Sequence, residues 1–411
     1  VIKIMIYLAW ISIRMDVILQ MQQPNRMISI DILRGFSILG ILLVNMPSFH
    51  SPVLYMNPLA WWEDNPDHFL YIITDIFAQA SFYPLFAFLF GFGAILFARK
   101  TNRNGESFAN LFSRRLLALL LFGCLHAFFI WHGDILINYA LFGFAFLLFY
   151  KMSGKSLLII GSSIYLVPFL FVAVLMWKAG LSEMSVPSHQ EGIRQSLEAY
   201  ATGSFKEIMQ QRFQDWYLVN NAASSIYLFL SIFPLFLIGA GFAKTDLLQR
   251  PIHYKKTWAI LLVVSFIVGF SIKLFPYYSF ASPLALFIQD QFGGPILSFF
   301  YVSSITLLVE KSFFYNLLKP FSYVGKLSMS NYLFQSIVGT SLFYSYGLGY
   351  YGNISFTAGM LLAVGIFIIQ MAASRVWLQY FSNGPVEHMW RRFIYWEKPG
   401  SRRNQSKRGH S

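Results

Sequence analysis

Long stretches of this chain carry no charge, and that limits what it can fold into. Residues 116–132 (LLALLLFGCLHAFFIWH) contain no Lys, Arg, Asp or Glu, and about ten apolar blocks of this kind follow one another. A run of roughly 17–25 apolar residues is long enough to cross the hydrocarbon core as a helix. Only 12% of the residues are charged and 56% are hydrophobic, against roughly 25% charged in a soluble domain. The mean hydropathy is +0.54. The expected fold is all-α: a polytopic transmembrane helical bundle of about ten spans, with amphipathic interfacial helices.

The blocks fall near residues 30–46, 76–97, 114–132, 135–150, 156–177, 223–242, 257–275, 293–309, 328–346 and 355–374. The loop after the first, 47–75, carries Glu63, Asp64, Asp67 and Asp75 and no Lys or Arg. The next connection holds Arg99, Lys100, Arg103, Arg114 and Arg115. The alternation continues with Lys151 and Lys155, then a long segment with Glu183, Glu191, Glu198, Glu207 and Asp215. Lys244, Arg250, Lys255 and Lys256 follow, then Lys311, Lys319 and Lys326, then a basic tail. Short loops rich in Lys and Arg stay in the cytoplasm, so both termini are expected there. Lys178 and Lys273 fall at outer ends and are exceptions to the alternation; a lysine there is able to snorkel to an interface. The formal charge of +13 does not point to nucleic acid, because it is spread over membrane loops and the tail. The single cysteine, Cys124, lies inside an apolar block, so no intramolecular disulfide can form.

Four stretches follow from this pattern. Residues 1–25 hold a short apolar run without a small-residue cleavage site, read as an interfacial helix or as translated sequence upstream of a start at Met15. Residues 26–222 form an N-terminal transmembrane half that includes the longest outer segment, 181–222. The pattern of that segment (IRQSLEAYATGSFKEIMQQRFQDWYLV) predicts one or two amphipathic surface helices. Residues 223–395 form a C-terminal transmembrane domain in which 311–326 predicts a cytoplasmic interfacial helix. Residues 396–411 form a polar, basic, disordered tail.

Function has to be sought in the few polar residues held within the spans. Asp31 and Arg34, three apart, share a helix face and can pair. They serve equally as a helix-start carboxylate and headgroup anchor, or as part of a site for an anionic group. Asn45 lies eleven residues after Arg34, about 16 Å further along a straight helix and near the outer end of the first span. It is read either as an interhelical hydrogen-bonding group or as a functional amide. His126 lies about 18 Å from the Arg114–Arg115 pair that opens its span. It is a candidate general base, or a neutral imidazole bonded to a neighbouring helix. Asp134 after Gly133 can cap the next span. It lies about 12 Å from His126 along a continuous helix, so the two touch only if the break folds Asp134 back. His50 and His68 lie in the first outer loop; each is an ordinary loop histidine or a group approaching His126 or Asn45 from outside. No spacing among these residues predicts a metal site. Gly91 and Gly93 permit close helix packing. Ser328, Ser330, Asn331, Tyr332, Gln335 and Ser336 open the ninth span, and Asn331 and Gln335, four apart, face the same way. Groups in this number should not face lipid, and are expected to line an interface or a cytoplasm-open cavity. Glu387 can pair with Arg391 on a short helix after the last span.

Taken in order, RMISIDILRGFSILGILLVN, FYPLFAFLFGFG, RRLLALLLFGCLHAFFIWHGDILINYA, PLFLIGAGFAKTDLL, GKLSMSNYLFQS and GPVEHMWRR resemble the YeiB-like family of bacterial inner-membrane proteins. The match covers most of the chain from Arg26 to about Tyr395. Its second half resembles that family's C-terminal domain of unknown function. The opening segment also resembles transmembrane acyltransferases such as heparan-α-glucosaminide N-acetyltransferase, which share an Arg…Asp-x-x-Arg-Gly start and an Asn at the far end of the first helix. Here these are Arg26, Asp31, Arg34, Gly35 and Asn45. Those enzymes move an acyl group from cytoplasmic acyl-CoA to an acceptor across the membrane, using that Asn and an outward-facing His. The His follows the Asn in the first outer loop, where this chain offers His50 and His68 in contexts that do not match; His126 is the other candidate.

The resemblance thus implies a bacterial inner-membrane acyltransferase. Asn45, His126, His50, His68 and Asp134 are its candidate catalytic residues. Arg26, Asp31, Arg34, Ser328, Asn331 and Gln335 are candidates to hold the donor, acyl-CoA. The expected partners are membrane lipids, the acyl donor, an outer-face acceptor and a second copy of the chain, not nucleic acid. The alternative is a transporter or channel whose route is lined by the same polar face.

Overall fold

The computed structural model describes residues 28–395 apart from Asp246, Gln249, Arg250 and Ile252. Residues 1–25, Arg26 and the basic tail 396–411 lie outside the described residues. Helix α1, Ile28–His50, has 23 residues, about 35 Å at 1.5 Å per residue. Then come α2 (Asp67–Phe77), α3 (Phe82–Arg103), α4 (Phe108–Phe129), α5 (Leu136–Phe146) and α6 (Gly154–Lys178). Two further helices, α7 (Gln190–Leu197) and α8 (Phe205–Asn220), precede α9 (Ala222–Lys244) and α10 (Lys255–Tyr278). The chain continues with α11 (Gly294–Leu308), α12 (Ser312–Lys326), α13 (Ser328–Phe343), α14 (Phe356–Tyr380) and α15 (Pro385–Tyr395). No β-strand occurs among the described residues.

Eight helical segments are long and apolar enough to cross a membrane: 28–50, 67–103, 108–129, 154–178, 222–244, 255–278, 283–308 and 356–380. The other two of the ten expected blocks are shorter helices, α5 with 11 residues and α13 with 16. The molecule is a helical membrane bundle. Helix α3 runs past the predicted end of its block, because Lys100 and Arg103 suit a helix C-terminus. The chain turns only after Asn104, at Gly105 with φ +70°. Segment 181–222 forms α7 and α8 as its amphipathic pattern predicts. A capping box starts α8: Ser204 Oγ accepts the Glu207 N–H, and the Glu207 side chain accepts the Ser204 N–H. The hydrogen bonds from Ser204 hold the Glu207 carboxyl below its ordinary range.

Two helix crossings are set by glycine. A Cβ on Gly35 of α1 would stand 1.9 Å from Phe321 O of α12, and one on Gly325 of α12 would stand 1.8 Å from Asp31 O. Helices α3 and α9 meet likewise: a Cβ on Gly91 would lie 1.9 Å from Phe236 O, and one on Gly239 2.0 Å from Phe88 O. Small residues let backbones approach this closely, as expected for Gly91. Segment 312–326 is a helix as predicted, and it is clamped on α1.

The break between α2 and α3 leaves carbonyls without helical partners. Tyr301 OH donates to Phe77 O at 2.6 Å and Lys273 Nζ donates to Gln79 O at 3.1 Å. Lys273 does not snorkel outward. It is fully buried, with Asp290 at 3.6 Å, because the break and that carboxylate together offer its ammonium partners at this depth.

Candidate functional site

Basic residues end or begin several helices at one end of the bundle, and a cavity of about 330 Å³ extends inward from there. Arg34 (α1), Lys100 (α3), Arg115 (α4), Lys326 (α12) and Arg391 (α15) line it. Lys100 and Arg391 are exposed, so this end reaches solvent. Gly93 makes room for Arg34: a Cβ there would lie 3.0 Å from Arg34 Nη2. Asp31, buried beside it, forms the expected pair with Arg34 at 3.6 Å. Further in the walls are apolar, from Ile38, Leu89, Phe90 and Leu119.

A second cavity of about 100 Å³ adjoins the first, sharing Ile41, Phe86, Ile135, Tyr139 and Tyr332 as lining. These five residues form a neck. Its phenols point at backbone: Tyr139 OH donates to Tyr83 O at 3.3 Å and Tyr332 OH to Gly133 O at 3.2 Å. Asn45 lines the second cavity with Val44, Ala78, Ala80 and Gly133.

Behind that wall lies the His126–Asp134 pair. The helix break at 130–135 folds Asp134 back, so His126 Nδ1 lies 2.8 Å from Asp134 Oδ1, with both side chains fully buried. Asp134 Oδ2 accepts the Ile137 N–H at 2.8 Å, so the expected cap is also present. Trp131, packed on Phe49 with ring centroids 4.4 Å apart, holds the turn in place. His126 Nε2 is buried without a hydrogen-bond partner among the described residues. Its ring sits 5.1 Å, centroid to centroid, from Tyr332. With Nδ1 fixed by a carboxylate, Nε2 is the nitrogen free to take a proton.

Other expected site residues stand elsewhere. His50 is buried with Nδ1 2.8 Å from Ser51 Oγ, and its ring packs beside Phe343 and Trp62. His68 Nδ1 lies 3.0 Å from Trp62 O. Neither histidine lines either cavity, nor do His126 and Asp134, which sit one layer behind Tyr332, Gly133 and Ile135. Ser328 lines the first cavity, but Asp31, Asn331 and Gln335 do not, which corrects the expectation of one shared polar cavity. Asn331 Nδ2 donates to Ser374 Oγ at 3.1 Å and Gln335 Nε2 to Gln370 Oε1 at 2.9 Å. The polar face of α13 is therefore its seam with α14, and the next residues round the helix, Met329 and Tyr332, face the cavity. Glu387 does not pair with Arg391. It accepts the Met329 N–H at 2.9 Å and the Ser330 N–H at 3.1 Å, where the positive end of the α13 dipole favours a carboxylate. Arg391 bonds Asn383 Oδ1 at 3.0 Å. No group of three or more His, Cys, Asp or Glu among the described residues is placed to hold a metal.

At the far end of the bundle Asp215 of α8 gathers Tyr55 OH at 2.5 Å, Tyr200 OH at 2.7 Å and Gln211 Nε2 at 2.7 Å. Burial first, then the Asp215 charge, raises the Tyr55 phenol above its usual range; Tyr200 is raised by burial, Tyr344 and Asp215. Both stay protonated donors.

A family model described as a protein of unknown function (DUF418) matches residues 242–397. The chain is 27% identical over 398 residues to the uncharacterized protein YeiB of Escherichia coli (strain K12), covering 89% of this chain and 96% of that one. It is 37% identical over 383 residues to the uncharacterized protein YxaH of Bacillus subtilis (strain 168), covering 89% of this chain and 93% of the relative. The chain belongs to the YeiB-like family. The matched region of this YeiB-like chain includes α10 to α15, and so supplies Lys326, Tyr332, Trp390 and Arg391 to the cavity. Arg34, Lys100, Arg115 and Asn45 come from before it. The cavity is thus built from both parts of a YeiB-like chain.

Sequence reasoning did not single out Lys100, Arg115, Lys326, Tyr139 or Trp390 as site residues, whereas Tyr332 was among the polar residues of the ninth span expected at an interface or cavity, and it lines the cavity. The three cations carry a signal, since each belongs to one of the Lys- and Arg-rich stretches that mark the basic side. Tyr139 and Trp390 carry none, because a chain with 19% aromatic residues offers many equivalents.

Proposed function

We propose that this chain is an inner-membrane acyltransferase that takes an acyl group from acyl-CoA at the basic end and passes it to a hydroxyl or amine acceptor near the opposite face. The observation that carries this reading is the graded lining of the two adjoining cavities. Five cations stand at one end, an apolar neck follows, and Asn45 lies at the other end beside the turn that holds His126–Asp134. Acyl-CoA has the same order of parts: a polyanionic head, a slender arm and a thioester. Arg34 and Asn45 lie about 16 Å apart along α1, within reach of an extended pantetheine arm.

Chemically, the acceptor oxygen or nitrogen adds to the thioester carbonyl, whose developing oxyanion Asn45 stabilises through its amide N–H. His126 Nε2 removes the acceptor proton, and Asp134 steadies the resulting imidazolium. The carbon–sulfur bond then breaks, and the proton passes to the thiolate, which leaves as CoA. His126 is preferred over His50 and His68 because it alone of the three packs against a lining residue, Tyr332. Transfer is tested with labelled acyl-CoA added to vesicles that hold the overproduced protein, with binding to the purified protein followed by calorimetry. The expected result is CoA binding that weakens when Arg34 and Lys326 are replaced by Ala, with label moving into an acceptor. Absence of CoA binding to well-folded protein, together with solute flux through proteoliposomes, overturns it.

A further inference from the structure

The mouth of the basic cavity holds one feature that charge neutralisation does not require. Trp390 of α15 lines it beside the cations. The indole Nε1 donates to Arg115 O at 3.1 Å, and the Arg115 guanidinium lies over the same ring, 4.4 Å from its centroid. Helix α15 is itself fastened down. Glu387 receives the first amides of α13 and the Ser330 hydroxyl, and Arg114 Nη1 reaches Ile394 O at 3.4 Å. The indole is therefore a half-buried ring held in a fixed plane at the solvent end of the cavity. Among the described residues of the lining Glu387 is the one carboxylate, and it accepts the Met329 N–H of α13.

Cations alone would suit any phosphate-bearing arm, including the phosphopantetheine of a carrier protein. A fixed aromatic face paired with a guanidinium suits a planar base as well, because bases stack on indole and on guanidinium planes. We propose that Trp390 and Arg115 form a stacking site for the purine of the donor, so that the cavity selects a nucleotide-bearing thiol or thioester over a bare phosphopantetheine arm. This rests on the acyl-CoA reading above and names the part of the donor that is recognised. Arg34, Lys100, Lys326 and Arg391 surround the position of its phosphates.

The test is calorimetry on the full chain in detergent with CoA, 4′-phosphopantetheine and adenosine 3′,5′-bisphosphate as probes. Stacking on one aromatic side chain changes affinity by roughly ten- to a hundredfold. Trp390→Leu is expected to weaken CoA by about that factor and to leave 4′-phosphopantetheine unchanged, whereas Trp390→Phe stays near the parent. Adenosine 3′,5′-bisphosphate is expected to compete with CoA on the parent and not on Trp390→Leu. A melting temperature for each variant shows that the fold is kept. Equal affinity for CoA and 4′-phosphopantetheine, or a Trp390→Leu variant that melts like the parent and binds CoA as tightly, overturns the proposal while leaving the acyltransferase reading standing. If none of the probes binds the folded parent, the donor reading itself falls, and this proposal falls with it.

Discussion

At Asp134 one carboxylate serves two partners, His126 through Oδ1 and the Ile137 amide through Oδ2. Substitutions separate the two. Asp134→Asn keeps an acceptor for Ile137 but removes the carboxylate oxygen that holds His126 Nδ1. It is expected to fold, to bind CoA within about twofold of the parent, and to lose transfer by roughly 10³–10⁴-fold, the scale seen when a catalytic His loses its carboxylate. Asp134→Ala loses both contacts. Leaving a buried hydrogen-bonding group without its partner costs about 1–3 kcal/mol, so a lower melting temperature is expected. His126→Ala is expected to abolish transfer with CoA affinity intact, whereas His50→Ala and His68→Ala keep transfer; the reverse pattern in a labelled-acyl assay moves the base elsewhere. The sequence made both members of this pair visible as polar residues in an apolar run. Their contact was not legible, because the turn at 130–135 depends on Trp131 seating against Phe49, a residue from another helix. Asn331 and Gln335 were legible as residues that avoid lipid. Which neighbour they meet was not, since Ser374 and Gln370 lie on a helix that sequence spacing cannot orient.

Among elements, α1 is the one on which the candidate site depends most, since it carries both Arg34 and Asn45. Its position is fixed by the Gly35–Gly325 crossing with α12. An added methyl at either glycine meets a carbonyl oxygen at under 2 Å, so the backbones have to separate. Gly35→Ala gains up to about 1 kcal/mol in helix propensity, yet is expected to lower the melting temperature and the CoA affinity together. Gly365, where an added methyl would meet nothing within 4 Å, is the control: Gly365→Ala should melt at or slightly above the parent. Segment 312–326 could be read as an amphipathic helix because its apolar residues recur at helical spacing. That this helix seats against another backbone was hidden, since a glycine in sequence does not say what approaches it.

For the whole molecule, the alternation of acidic and basic connections gives a topology that labelling can check. With Cys124 replaced by Ser, single cysteines at Asn65 and Asn104, both exposed, are expected to react with a membrane-impermeant maleimide from opposite sides, Asn104 from the cytoplasm. Reaction of both from one side overturns the topology, and with it the assignment of the basic end to cytoplasmic acyl-CoA. The bundle itself was the most legible level, because a charge-free run of this length has few ways to satisfy its backbone. The cavity was the least, because its walls come from six or more helices that the order of blocks does not bring together.

The Gly35–Gly325 crossing also bears on how the chain is made. Gly325 leaves the ribosome roughly 290 residues after Gly35. At roughly 5–20 residues per second that interval is about 15–60 s. The first helix therefore enters the bilayer long before its main partner exists, with a glycine-flattened face and a buried Asp31 awaiting cover. A nascent chain in that condition has to be shielded by the insertion machinery. A product truncated before residue 311 is expected to be cleared by membrane proteases rather than accumulate, and co-expression of residues 311–411 as a separate piece should extend its lifetime in a pulse–chase experiment.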